Sequence, residues 1–324
     1  MTTRAVVGNR PPRSERASRA PQPLNVDVTI DGDGAHLLAH SVRGISSVVR
    51  TDAVSLIEQS ARICELIARK AGRNRELRDV VRDLSRRLLD PLEAAVDSCS
   101  EVIISLPLGA LRIPIDVLTY RRAPLFLRRP VSYRIGRTSN RPFVCQSPCT
   151  ALILSDASAD PDRACLTVAK TLSQVTYQDD REATRDSLRL QTPRDVLVVS
   201  LHGRIGGPER DHLEIHKGRV HAEDLTSLRP RLAYLDSCNL GVSRVFIRSL
   251  RAAGTVYYVA PIVSNEAGDS STRTMTMFFE NLVTGIAPEV ALFKTRRELW
   301  RVYRERDFGR RLWRAFPFRL YRLN

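Results

Sequence analysis

The feature that most constrains the fold is a series of short, almost wholly apolar runs separated by helical patterns. Four of these runs are ALILSDA (151–157), DVLVVSLHG (195–203), LAYLDSC (232–238) and TVYYVAPIV (255–263). Their length and composition are typical of strands that are buried on both faces, and such strands belong to parallel sheets. Parallel strands need long crossover connections, which helices usually supply. The pattern therefore predicts an α/β fold with a mostly parallel central sheet and helices on both faces.

The segments outside these runs predict further elements and a division of the chain. LNVDVTI and AHLLAHSV flank DGDG, which predicts a hairpin, and apolar residues at helical spacing over 52–96 predict two helices separated at KAGRNRE. LWRAFPFRLYRL (312–323) alternates apolar and basic residues, which predicts a half-buried strand. We expect a disordered basic tail (1–24), a hairpin and helix packed on the main domain (25–75), and the main domain itself (76–324).

The chain is strongly basic, but its sequence does not place the charge at one site. Its net charge is +15, and 47 of its 51 basic residues are arginines spread over all 324 positions. Zinc-finger, helix-turn-helix and aromatic RNA-binding motifs are not evident in the sequence. We therefore expect no direct contact with nucleic acid, and keep a basic nucleic-acid-binding protein as an alternative.

Cysteine content and hydropathy limit the remaining classes. The six cysteines lie at 64, 99, 145, 149, 165 and 238, without the density of a disulfide framework or the spacing of a zinc motif. They predict reduced thiols, and no metal or cofactor. No apolar run approaches the roughly 18–20 residues of a membrane span, and the N-terminus lacks the apolar core of a secretory signal. We expect a cytoplasmic protein that does not contact membranes.

Two of the predicted strands end on residues that could carry chemistry. One ends in His202-Gly203 and the next long apolar run ends in Asp236-Ser237-Cys238, so the imidazole and the thiol are 36 positions apart. Functional groups gather at the carboxyl ends of parallel strands, and neighbouring strands would bring these two together. A histidine can take the proton of a cysteine thiol and leave a nucleophilic thiolate. The backbone N–H groups of Gly203 and Cys238 are candidate donors to a developing oxyanion.

The same residues resemble a known group of enzymes. HG after one apolar strand and DSC after the next is similar to caspase-like cysteine proteases, which include metacaspases, separases and CHAT domains. LSRRLLDPLEAAVDSCSEVIISLPLGALRIPIDVL, FFENLVTGIAPEVALFKTRREL and LWRAFPFRLY resemble successive parts of CHAT domains, and the resemblance covers about residues 76–324. It implies a caspase-like fold, Cys238 as the nucleophile and His202 as general base and acid. It also implies an activating protein partner in a bacterial antiviral-defence or cell-death pathway.

Asp236 extends the resemblance to substrate choice. Asp236-Ser237-Cys238 is closer to metacaspases than to the usual Ser-Ala-Cys of CHAT domains. In metacaspases the aspartate two positions before the cysteine lies in the S1 pocket and receives arginine or lysine. The resemblance therefore implies an endopeptidase that cleaves protein substrates after Arg or Lys through a thioester, and a carboxylate suits a guanidinium.

Each of these residues also has a plain structural interpretation. Cys238 could be a buried core thiol, His202 a strand-end histidine, and Asp236 the cap of its own turn. The chain as a whole could be a catalytically inactive caspase-like interaction module. A second Asp-Ser-Cys ends at Cys99, but it precedes an apolar strand instead of following one. The aromatic residues among the C-terminal arginines are expected in the core, with Trp313 and Phe316 as the main candidates.

Overall fold

The computed structural model describes residues 21–41, 44–69, 74–136, 143, 145, 149–189, 191–207 and 210–323. The expected basic tail covers 1–24, of which residues 1–20 lie outside the described residues. The first strand begins at Gln22, so the last residues assigned to that tail belong to the sheet.

The described residues form the following strands and helices. The strands are β1 (Gln22–Asp31), β2 (Gly34–Ser41), β3 (Gly44–Asp52), β4 (Cys99–Ser105), β5 (Thr119–Tyr120), β6 (Ala123–Pro124), β7 (Val131–Arg134), β8 (Thr150–Ser155), β9 (Gln174–Asp179), β10 (Val196–Ser200), β11 (Gly203–Arg204), β12 (His212–Ile215), β13 (Gly218–Val220), β14 (Leu232–Asp236), β15 (Tyr257–Pro261) and β16 (Phe318–Arg322). The helices are α1 (Ala53–Ala68), α2 (Asn74–Leu88), α3 (Glu93–Ser98), α4 (Ala164–Thr171), α5 (Arg185–Arg189), α6 (Arg244–Ala252), α7 (Asp269–Val283), α8 (Pro288–Val302) and α9 (Phe308–Ala315).

Among the described residues, eleven strands form one central sheet in the order β3-β2-β1-β4-β7-β16-β15-β14-β10-β8-β9. Seven of its ten neighbouring pairs are parallel, and the antiparallel pairs are β1–β2, β2–β3 and β15–β16. The predicted α/β fold with a mostly parallel central sheet is confirmed.

Helices cover both faces of this sheet. Val198 of β10 lies in a core cluster with Phe278 of α7, whereas its neighbour Val199 lies in a second core cluster with Phe246 of α6. Successive side chains of a strand point to opposite faces, so a strand covered on both sides is apolar along its whole length. This is the physical reason for the uninterrupted apolar runs in the sequence.

The N-terminal segment extends the same sheet. The predicted hairpin is formed by β1 and β2, which pair antiparallel, and β1 pairs parallel with β4 of the following segment. The predicted helical stretch divides into α1 and α2. The third strand of this edge, β3, was not among the predicted elements.

The C-terminal segment corrects one sequence prediction. Residues 312–323 were expected to form one strand, but α9 continues to Ala315 and only Phe318–Arg322 is extended. The side chain of Asp307 caps α9 by accepting a hydrogen bond from the backbone N–H of Arg310 at 2.8 Å, which favours the helix. The expected core positions of Trp313 and Phe316 are confirmed, since both side chains are buried.

A membrane-spanning helix must be both long and apolar. Among the ranges given above, none is both long and apolar enough to cross a membrane.

Candidate active site

The site is set by the pairing of β10 with β14. These strands are parallel neighbours, and Ser200 is in register with Asp236. His202 and Cys238 each follow two residues later, so both leave the sheet at the same edge. The prediction that the two strands are neighbours is confirmed.

Gly203 brings the backbone after β10 against the backbone of Cys238. A Cβ atom added to Gly203 would lie 2.8 Å from the carbonyl oxygen of Cys238 and 3.2 Å from its amide nitrogen, so only glycine fits. The chain here is held by β11, which pairs with β12, and by a 2.8 Å hydrogen bond from the Glu214 N–H to the His202 carbonyl. The two N–H groups expected to stabilise an oxyanion therefore belong to backbone segments in contact.

Cys238 differs from the other cysteines in its exposure. It is the only one of the six that is not buried, and its Sγ atom lies 3.4 Å from the Ser264 hydroxyl oxygen. Cys99 is 7% exposed at the start of β4, where its thiol donates to the carbonyl of Val96 and burial raises the pKa of the thiol. The second Asp-Ser-Cys thus presents no accessible thiol.

The His202 ring is oriented by a serine and an aspartate. The Ser158 hydroxyl oxygen lies 2.8 Å from His202 Nε2 and donates its own proton to Asp156 Oδ2 at 2.9 Å. The Ser158 backbone N–H also donates to Asp156, at 2.8 Å. Because a hydroxyl has one proton, Ser158 accepts from Nε2–H, which leaves Nδ1 as the basic nitrogen of the neutral ring.

His202 and Cys238 follow neighbouring strands, but among the described contacts no hydrogen bond joins the imidazole to the thiol. In the described structure each of them bonds a serine hydroxyl, Ser158 for His202 and Ser264 for Cys238. Proton transfer to Nδ1 of His202 requires the thiol to leave Ser264 when a substrate binds, whereas Nε2 can keep its hydrogen bond to Ser158. Catalytic hydrogen bonds are commonly longer before substrate binds, so the arrangement is compatible with a dyad.

Asp236 is a buried carboxylate held by other side chains. Its oxygens accept hydrogen bonds from Asn265 Nδ2 at 2.6 Å and from the Ser271 hydroxyl at 2.7 Å. Burial, with a further contribution from the negative charge of Asp160, raises the pKa of Asp236 to about 7. Asp236 was alternatively expected to cap its own turn, but these hydrogen bonds come from the side chains of Asn265 and Ser271 instead.

Asp160 is a second buried carboxylate near Asp236. It accepts from the Ser155 hydroxyl at 3.2 Å and from the first N–H groups of α4, those of Ala164 and Cys165, at 2.7 and 2.9 Å. Within the described ranges, neither Asp160 nor Asp236 has a cation within 4 Å. The edge of the sheet thus contains two buried carboxyl groups that have no positive partner among the described residues.

Sequence reasoning missed Asp156, Ser158 and Asp160, although a signal for them exists. All three follow β8, the neighbour of β10 on the other side, and Ser155 of β8 is in register with Ser200. The apolar run ALILSDA ends at the same sheet edge as the two runs that were singled out. However, only the folded sheet shows that this strand is a neighbour of β10.

The described residues do not include a group of three or more His, Cys, Asp or Glu side chains arranged to hold a metal ion. Comparisons with known proteins add no assignment. No family model matches the sequence, and a search of curated proteins finds no match.

Proposed function

We propose that this protein is a caspase-like cysteine endopeptidase with Cys238 as nucleophile and His202 as general base and acid. The observation that supports it most is the register of β10 with β14, which brings both residues to one sheet edge. The accessibility of Cys238, alone among the cysteines, and the orientation of His202 by Ser158 add to it. The sequence motifs support membership of the CHAT group.

The proposed reaction uses groups that meet at this edge. His202 Nδ1 takes the thiol proton, and the thiolate forms a bond to the carbonyl carbon of the scissile peptide. The N–H groups of Gly203 and Cys238 bind the resulting oxyanion. The imidazolium then protonates the leaving amine, the C–N bond breaks, and a thioester remains on Cys238. Water, deprotonated by His202, hydrolyses the thioester and frees the thiol.

The proposed preference for Arg or Lys before the cleaved bond rests on buried carboxylates. In the part of the chain that the structure describes, Asp236 and Asp160 have no cation within 4 Å, and buried like charges are unfavourable because they repel and lack hydration. A substrate guanidinium or ammonium group would supply the missing positive charge. We propose Asp236 as the residue that recognises this side chain, with Asp160 as a second carboxylate beside it.

The cellular part of the proposal comes from the family resemblance. The resemblance implies a protease that acts on a protein substrate after a regulatory protein partner signals, in a bacterial antiviral-defence or cell-death pathway. We propose a cytoplasmic location because the N-terminal residues lack the apolar core of a secretory signal. Because such a partner can be required for activity, the test uses a reactive probe as well as turnover.

Substrate profiling with matched cysteine variants tests the catalytic proposal. Wild type should cleave a peptide library after Arg or Lys, and a peptidyl-arginine electrophile should label one thiol. Cys238→Ala should abolish both cleavage and labelling, whereas Cys99→Ala should keep both, because Cys99 is buried. A wild type that neither cleaves nor is labelled faster than Cys238→Ala would instead indicate an inactive interaction module.

The specificity arm of the same experiment uses Asp236→Asn, which keeps the size of the side chain. The variant should lose the preference for Arg and Lys, and an unchanged preference would reject the role of Asp236 in S1. The pKa of Asp236 is about 7, so the carboxylate becomes charged as pH rises through that value. The KM of wild type for arginine substrates should therefore fall over this range, and that fall should be absent in Asp236→Asn.

A further inference from the structure

An open groove with an excess of positive charge lies between α8 and α9, on residues that take no part in the proposed catalysis. Its volume is about 750 Å³, and Glu298 is the carboxylate that lines it. Its cationic side chains are Lys294, Arg297, Arg301, Arg304 and Arg311.

A second groove of about 610 Å³ continues from the first along α2 and the β5–β6 hairpin, and the two share Trp300 and Arg311. Asp90 is the carboxylate that lines this second groove. It adds the cationic side chains Arg78, Arg82, Arg86, Arg121 and Arg122. We call the two together the basic groove. The fold thus brings residues that are far apart in the chain to two adjoining grooves.

Most of these cations have no carboxylate partner among the described residues. Three of the ten cations form ion pairs: Arg301 with Glu298, Arg82 with Asp79, and Arg121 with Glu93 and Asp97. Within the part of the chain that the structure describes, the other seven have no carboxylate within 4 Å. Burial, together with repulsion from Arg304, lowers the pKa of Arg311. An anionic ligand would relieve this repulsion.

The junction of the two grooves offers a flat surface for stacking. The guanidinium carbon of Arg311 lies 4.0 Å from the centre of the Trp300 ring, and the same guanidinium donates to the Trp300 carbonyl at 3.1 Å. Phe126 and Phe308 pack edge-on against the Trp300 ring and fix its position. Nucleic-acid bases stack on aromatic rings and on arginine planes.

We propose that the basic groove binds a single-stranded nucleic acid. Its phosphates would pair with the cations along both grooves, and a base would stack at the Arg311–Trp300 junction. The surface is concave, so it can enclose a flexible strand, whereas duplex DNA is read by elements that protrude into its own grooves. This differs from the expectation drawn from the sequence, in which the scattered arginines indicated no direct contact.

Fluorescence anisotropy with the full-length chain tests this binding. The probe is a labelled single strand of about 16 nucleotides, the upper end of the site sizes of single-strand-binding folds. Arg297→Glu with Arg304→Glu reverses two unpaired charges of the basic groove. Arg181→Glu with Arg248→Glu, both exposed and outside the groove, makes the same change in net charge. The Cys238→Ala background keeps the result independent of peptidase activity.

The groove variant should bind at least roughly tenfold more weakly near 0.1 M salt, and the slope of log K against log salt should fall by about 1.4, or 0.7 for each lost phosphate contact. The control variant should stay close to wild type, and circular dichroism should show that both fold. The proposal would be overturned if both variants weakened binding equally or if wild type did not bind the strand. It would also be overturned if wild type bound a duplex, polyglutamate or phosphatidylserine vesicles as tightly as the single strand.

Discussion

Ser158 is an exposed side chain that orients the ring of His202. Its hydroxyl joins Asp156 to His202 Nε2, which selects the tautomer with a basic Nδ1. In catalysis by histidine, a partner that holds the ring in the correct tautomer contributes strongly to rate although it exchanges no proton with substrate. Ser158 is thus a positioning residue in the proposed mechanism.

Replacing Ser158 with alanine tests this role. Ser158→Ala should lower kcat roughly ten- to a hundredfold with little change in KM, a smaller loss than the 10²- to 10⁴-fold typical for a general acid–base group. Steady-state kinetics on an arginine peptide measures both constants. Ser158→Thr keeps the hydroxyl and should restore most of kcat. Equal losses in the two variants would show that the hydroxyl does not orient His202.

Close packing of turns fixes the strand ends on which the site depends. Gly203 contacts the backbone of Cys238, and the turn after Cys238 packs equally tightly on the next strand. A Cβ atom on Gly241 would lie 2.7 Å from the Ala260 carbonyl oxygen and 2.9 Å from that of Pro261. Gly203 after β10 and Gly241 after β14 therefore allow the chain to pack closely at the carboxyl ends of β10, β14 and β15.

Gly203→Ala should disturb both stability and activity. The added methyl group must push Cys238 away, and overpacking of this kind costs about 1–3 kcal/mol of the free energy of unfolding. Urea denaturation and turnover of an arginine peptide measure the two effects. Gly109→Ala is the matched control, because the nearest atom to its added Cβ is 3.9 Å away, at ordinary contact distance. Similar results for both variants would contradict the close contact at Gly203.

At the level of the molecule, one buried carboxylate connects the two halves of the sheet. Asp116 accepts a 2.6 Å hydrogen bond from the Tyr133 hydroxyl of β7 and an ion pair from Arg296 of α8 at 3.1 Å. Arg319 of β16 lies 3.7 Å away, and its guanidinium also donates to the carbonyls of Leu111 and Ile113. Both arginines are buried, so their charges depend on this single carboxylate.

Asp116→Asn should therefore destabilise the fold far more than loss of a surface pair. Removing one partner of a buried ion pair typically costs about 3–5 kcal/mol, because the remaining charge is left without compensation. Urea denaturation followed by circular dichroism measures the change. Asp79→Asn removes an exposed partner of Arg82 and should have little effect. A loss no greater than that of the control would refute a structural role for the cluster.

The α/β class, and the positions of His202 and Cys238 after buried strands, could be predicted from the sequence. A strand that is buried on both faces is apolar along its whole length, so its own residues indicate its burial. The same local pattern was misleading at residues 312–315, where alternating apolar and basic residues fit a short helix as well as a strand. In that case the Asp307 cap, outside the pattern, favoured the helix.

Contacts between distant residues depended on the folded sheet. Ser158 and His202 are 44 positions apart and are in contact because β8 and β10 are neighbours in the sheet. The sequence of either strand does not indicate which strand it pairs with. The buried pair of Asp160 and Asp236 and the basic groove arise in the same way, from strand order and helix packing. Periodicity along a chain reports which face of an element is buried, whereas the identity of its neighbour is a property of the packed core.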